Sequence, residues 1–140
     1  MFNPTREQVR DFFFASWQKF SDKLPLTPLE GMAVAIMVDH PEYHQILSQR
    51  EQHVDRDYTP ENGDTNPFLH MSMHLSIREQ VSIDQPPGVL AQHQRLCLAL
   101  GGALDAEHAM MDCLAEMIWQ AQRARTAPDA SIYLRCLAAK

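Results

Sequence analysis

A long stretch with helical periodicity begins at Asn66 and limits what the chain can fold into. Asn66 offers a side-chain oxygen to cap a first turn, and Pro67 after it needs no backbone N–H there. Apolar residues then recur at helical spacing, which predicts a helix from Pro67 to about Ile83. His70 and His74 lie one turn apart on its apolar arc. The sequence therefore places two imidazoles close together in apolar surroundings.

A buried imidazole must satisfy two ring nitrogens. Each ring either finds hydrogen-bond partners or binds a metal ion through one nitrogen while donating from the other. For His70 and His74 both interpretations stand: a metal site, or two hydrogen-bonded core histidines.

The other helices follow from similar start and stop signals. We predict a first helix from Asn3-Pro4, a second from the Thr27-Pro28-Leu29-Glu30 capping box towards Pro41, one from Val89 to Gly101-Gly102, one from about Leu104 to Ala124, and a last one from about Ala130 to Leu137. The fold class is therefore all-α, a helical bundle of about six helices with a four-helix core. We predict a single domain over residues 1–140.

Composition excludes several classes of function. The 140 residues carry a net charge of -6, which argues against a nucleic-acid partner. No apolar run has the length of a membrane span, and the N-terminus lacks a signal peptide pattern, so we predict no membrane partner and a cytoplasmic location. Cys97, Cys113 and Cys136 show no C-x-x-C spacing, and we expect all three to be reduced.

The segment from Gln49 to Thr65 has no helical periodicity and is rich in charged and turn-forming residues. A connection of this length is either a solvated loop or, when ordered, a functional lid. We assign no role to His53 within it.

Further candidate ligands come from two other segments. The second helix and its end supply Glu30, His40 and His44. The predicted helix from about Leu104 to Ala124, the fifth in chain order, supplies residues spaced by four, namely His108, Asp112 and Glu116. Imidazoles and carboxylates on facing helices are the usual construction of di-iron and related sites in helical bundles. With His70 and His74, this inventory suits iron, zinc or manganese.

Each of these further candidate ligands also has a purely structural explanation. The Glu30 carboxylate can simply close the capping box, and His40 can be an N-cap or a hydrogen-bonded core residue. His44 lies one turn beyond His40 only if the helix resumes after Pro41. Met71 and Met73 would suit copper(I), but on a helix they project in nearly opposite directions.

The face of the fifth helix that carries His108 also carries Trp119, opposite the Met and Leu stripe. Charged residues there favour a solvated face, whereas a tryptophan favours a face covered by another helix or a second subunit. The alternative function is therefore a metal-free interaction or oligomerisation module, with a homodimer formed through the Trp119 face.

Two resemblances add to this interpretation. The residues that carry the first resemblance are the run from Asn66-Pro67-Phe68-Leu69-His70 through Ser82-Ile83-Asp84-Gln85-Pro86-Pro87-Gly88, together with Asp112-Cys113-Leu114-Ala115-Glu116-Met117 and Trp119-Gln120-Ala121-Gln122-Arg123. In these residues the chain resembles a bacterial family of short helical proteins of unknown function. This resemblance covers nearly the whole chain and implies no activity.

The second resemblance concerns the ligands. His70-x-x-x-His74, followed by a helix with His108 and Asp112, is similar to the hemerythrin arrangement, which would imply an oxo-bridged di-iron site that binds or senses oxygen. Hemerythrin expects His-x-x-x-Glu where this chain has His40-x-x-x-His44, and spaces its last His and Asp by five rather than four. We predict a transition-metal-binding bundle, with oxygen or redox chemistry as a hypothesis.

Overall fold

The computed structural model describes residues 5–58 and 66–140, and within these ranges the chain is helical with connecting turns and no strand. The helices are α1 (Arg6–Ser21), α2 (Pro28–Val38), α3 (His44–Leu47), α4 (Arg50–His53), α5 (Pro67–Ile83), α6 (Val89–Leu100), α7 (Ala103–Ala124) and α8 (Ala130–Ala139), with a 3₁₀ turn at Pro41–Tyr43. The predicted all-α class is confirmed. The described residues contain the six predicted helices and also the one-turn helices α3 and α4.

Local capping explains where α1, α2 and α5 begin. In α5 the Asn66 side-chain oxygen accepts hydrogen bonds from the backbone N–H groups of Phe68 (3.0 Å) and Leu69 (3.2 Å), as the sequence predicts. In α2 the Thr27 capping box is present with proline in the first turn. The predicted start at Asn3-Pro4 lies outside the described residues, and the described part of α1 has Thr5 as its N-cap.

The chain divides into two compact units, Met1–Leu75 and Ser76–Lys140, and the boundary falls within α5. Each unit has buried apolar residues of its own. The prediction of a single domain over residues 1–140 stays a prediction.

The first unit is built on a core from α1, α2 and the start of α5. Its buried members include the side chains Phe13, Phe14, Ile36, Met37 and Met71. Burial of such side chains stabilises the fold by about 2 kcal/mol each. This core fixes the positions from which α2 and α5 present their polar side chains.

A buried guanidinium anchors part of the long connection that the sequence leaves as a loop or a lid. Arg10 of α1 donates to the backbone carbonyls of His53 (3.1 Å), Val54 (3.0 Å) and Arg56 (2.7 Å), and its guanidinium lies 4.8 Å from the ring centre of Phe68. Cation–π contact and charge-assisted hydrogen bonds compensate the burial of the charge. The described part of this connection, up to Tyr58, is therefore anchored to α1.

The second unit contains the end of α5 with α6, α7 and α8. The fully buried Tyr133 donates its hydroxyl to Gln80 Oε1 at 2.7 Å. Leu137 of α8 is also fully buried, and its carbonyl accepts from Arg95 at 2.8 Å. Gly101 ends α6 at a φ of 92°, a conformation that favours glycine. Along the described ranges, none of the helices combines the length and apolar character that a membrane span requires.

A disulfide corrects the prediction of three reduced cysteines. Cys113 of α7 and Cys136 of α8 are bonded, with 5.5 Å between their Cα atoms. Cys97 alone of the three cysteines is free. The prediction fails because the pairing joins residues 23 positions apart, through helix packing and not through a local motif.

Candidate metal centre

Three histidine side chains of the first unit converge on one point. His70 and His74 project from α5, and His40 comes from the junction after α2. The Nε2 atom of His70 lies 3.2 Å from Nε2 of His40 and 3.2 Å from Nε2 of His74. His74 is fully buried, His40 is 3% exposed and His70 is half-buried. We call these three residues the histidine cluster.

The ring of His40 is oriented by the way α2 ends. α2 stops at Val38, and Pro41 then begins the 3₁₀ turn, so His40 has a non-helical backbone with φ −125° and ψ 68°. Its Nδ1 lies 2.7 Å from the Ile36 carbonyl oxygen, which accepts only, so Nδ1 carries the proton. In the neutral ring, Nε2 of His40 therefore presents a lone pair to the cluster.

The two contacts of His70 Nε2 compete for the one proton that this nitrogen can carry. Nε2 of His40 accepts, so Nε2 of His70 must donate to it. That same N–H then also faces Nε2 of His74 at 3.2 Å, and one proton cannot lie well aligned between both pairs. The Nε2 atoms of His40 and His74 therefore cannot both accept a well-aligned hydrogen bond from His70.

A metal ion at the point of convergence would contact all three Nε2 atoms at once. Ligand nitrogens that bind a tetrahedral ion at about 2.0 to 2.1 Å lie about 3.3 Å from one another. The two measured separations in the cluster are 3.2 Å, and the ligand nitrogens of the three histidines all lie within 4.8 Å of one another. The hydrogen bond from His40 Nδ1 to the Ile36 carbonyl is also typical of metal-binding histidines, which usually donate from the ring nitrogen that does not bind the ion.

The remaining candidates in the first unit have other partners. Glu30 Oε1 accepts from the Thr27 backbone N–H at 2.9 Å, and Oε2 accepts from Lys19 Nζ at 2.8 Å. His44 begins α3, donates from Nε2 to the Met37 carbonyl at 2.7 Å and packs on the Trp17 ring. The structure thus brings neither Glu30 nor His44 into the cluster.

The candidates on α7 belong to the second unit. Asp112 pairs with Lys140 Nζ at 3.2 Å, and Glu116 accepts from Gln120 at 2.7 Å. Both carboxylates are exposed, as the solvated-face alternative predicts. His108 lies one turn before Asp112 on α7, and its role as a ligand stays a prediction from the sequence.

The capping role of Glu30 predicts a dependence of stability on pH. The hydrogen bond from Lys19 and the backbone bond from Thr27 lower the pKa of Glu30 from its usual value of 4.5. Its contribution to stability is therefore complete above that value and is lost as pH falls through the lowered pKa. We expect Glu30→Gln to reduce the difference in unfolding free energy between about pH 7 and about pH 3, measured by urea denaturation.

Asp11→Asn is the matched comparison, because the hydrogen bond from Arg50 lowers the pKa of Asp11 in the same way. That variant should lose its own contribution and keep the one from Glu30. Glu30→Gln should also bind metal ions as the unchanged protein does, and a loss of affinity would contradict the capping role.

Sequence reasoning missed Tyr43, whose ring packs against the cluster. Tyr43 is stacked on the His40 ring with a centroid distance of 5.4 Å and an interplanar angle of 2°. The signal was Pro41, because a 3₁₀ turn begun by proline brings side chains at i and i+3 into register.

Comparison with known proteins gives a family and no activity. A family model described as a domain of unknown function (DUF1841) matches residues 5–139. No curated protein and no solved structure matches the chain.

Proposed function

Because the chain belongs to the DUF1841 family, whose description names no activity, we propose its function from the site: it binds a transition-metal ion through His40, His70 and His74. The observation that carries the proposal is the pair of 3.2 Å separations between Nε2 atoms. They are close to the separation of about 3.3 Å expected between two nitrogen ligands of one tetrahedral ion.

The donor set favours certain ions. Imidazole nitrogens suit zinc and iron, whereas manganese prefers sites rich in carboxylate oxygen. The carboxylate of Glu30, which a di-iron site would use as a bridge, is engaged by Thr27 and Lys19. We therefore propose a single ion, zinc or iron, and carry oxygen or redox chemistry only as a hypothesis for the iron form.

Metal analysis of protein purified without chelator tests the proposal. We expect about one zinc or iron ion per chain, and a rise in melting temperature when zinc is added to protein stripped of metal. Less than about a tenth of an ion per chain, together with no shift in melting temperature on adding zinc, would overturn the proposal.

His108 is one of several further ligands that the sequence predicts. Three imidazoles leave one position of a tetrahedral ion to another side chain or to water. In isothermal titration with zinc, His108→Ala should therefore bind more weakly than the unchanged protein. Unchanged affinity would remove His108 from the ligand set and leave the three-histidine proposal standing.

One observation supports the alternative of an interaction module. Trp119 of α7 is 53% exposed and Ile118 beside it is 39% exposed, although apolar side chains of this size are usually covered. The Arg123 guanidinium lies 5.2 Å from the Trp119 ring centre. If this face forms a homodimer, Trp119→Ala will lower the sedimentation coefficient while added zinc changes nothing. A monomeric unchanged protein would contradict it.

A further inference from the structure

His40 is held differently from the other members of the histidine cluster. His70 and His74 project from successive turns of a regular helix, which fixes their backbone and limits their rotamers. His40 lies between α2 and the 3₁₀ turn, in a non-helical backbone conformation, and its carbonyl accepts from Tyr43 N at 2.9 Å. The direction of its ring therefore depends on the groups that contact the ring.

Two contacts on the ring supply this. The Ile36 carbonyl accepts from Nδ1 at 2.7 Å and fixes one direction within the ring plane. Tyr43 lies parallel to the ring, at 5.4 Å between centroids, and so opposes rotation out of that plane. Tyr43 is half-buried and packs against the core of the first unit, which in turn holds the tyrosine in place.

Tyr43 also reaches a second member of the cluster. Its ring meets the ring of His70 edge-on, with 6.1 Å between centroids and an interplanar angle of 74°. One aromatic side chain thus contacts both imidazoles whose Nε2 atoms are 3.2 Å apart. The two rings come from different elements, and Tyr43 packs against both.

We propose that Tyr43 is a positioning residue of the metal site, which orients His40 towards His70 before an ion arrives. The proposal rests on the proposed function of the histidine cluster. Because the ring is already ordered, binding loses less side-chain entropy, and this raises the affinity for the ion. The aromatic ring carries the effect, so the hydroxyl group is dispensable.

Cobalt(II) is the probe, because its visible absorption reports the geometry of the ligands as well as the affinity. We expect Tyr43→Leu to weaken cobalt binding by about tenfold, in the range found for residues that orient metal ligands, and to change the spectrum. Tyr43→Phe should keep both affinity and spectrum. Tyr58→Leu is the matched control, since Tyr58 packs against the same core and meets Phe68 instead of a cluster histidine.

The outcomes separate the two proposals. If the unchanged protein binds no cobalt, the proposed function itself fails. If it binds cobalt and Tyr43→Leu binds with the same affinity and spectrum, the role of Tyr43 is overturned and the function stands. If Tyr58→Leu weakens binding as much as Tyr43→Leu, the effect reflects stability alone and the positioning role is again overturned.

Discussion

Replacing His74 with alanine should weaken metal binding more than about 100-fold. His74 is fully buried and supplies one of the three converging nitrogens. Its loss should weaken zinc affinity by more than about 100-fold, since even residues that only orient ligands account for 10- to 100-fold. At a zinc concentration about 1,000 times the dissociation constant, the unchanged protein gains about 4 kcal/mol of stability, and His74→Ala should gain less than about 1.5 kcal/mol.

The quantity to measure is the difference in unfolding free energy with and without zinc for each protein. This difference cancels the cost of the cavity that the substitution leaves in both states. His53→Ala is the matched control, because His53 is also buried but its Nδ1 lies 3.0 Å from the Tyr58 hydroxyl, outside the cluster. A zinc-dependent gain in His74→Ala equal to that of His53→Ala would contradict the assignment.

The ends of the helices could be predicted where residues close in sequence determine them. For α5 the cap at Asn66 and the apolar periodicity gave both ends, Pro67 and Ile83, because capping and periodicity act within a few residues. The one-turn helix α4 was missed, and for α3 the sequence left open whether the helix resumes after Pro41. Segments of four residues carry no periodicity and are held by contacts with the rest of the unit.

The candidate site was predictable in part. His70 and His74 were found because a spacing of four places side chains together on any helix. His40 was among the candidates with a structural alternative beside it, and its direction depends on how Pro41 turns the chain. For Glu30 the structure shows the capping-box contact that was predicted from the sequence as the alternative to a ligand role.

Residue pairs that come together only when distant segments pack could not be predicted from the sequence. Nothing local distinguishes Cys97 from Cys113, since each lies in a helical pattern. The disulfide between Cys113 and Cys136 requires α7 and α8 to pack so that the Cα atoms of the two cysteines are close enough for a disulfide, here 5.5 Å apart. Tyr43 was missed for a similar reason, because its stacking depends on the turn that Pro41 begins.

Breaking the Cys113–Cys136 bond should lower the free energy of unfolding by about 3 kcal/mol, because the link closes a loop and restricts the unfolded chain. Urea denaturation with and without a reductant measures the loss. Cys97→Ser is the control and should respond to the reductant as the unchanged protein does, since Cys97 is free.

The number of free thiols shows whether the Cys113–Cys136 disulfide has formed in the purified protein. Under denaturing conditions without a reductant, a thiol assay should find the Cys97 thiol alone, and the thiols of Cys113 and Cys136 should appear only after reduction. Because Cys113, Tyr133 and Leu137 are fully buried, reduction should expose apolar surface wherever α8 separates from α7. Finding all three thiols before reduction would show that packing alone holds α8 against α7.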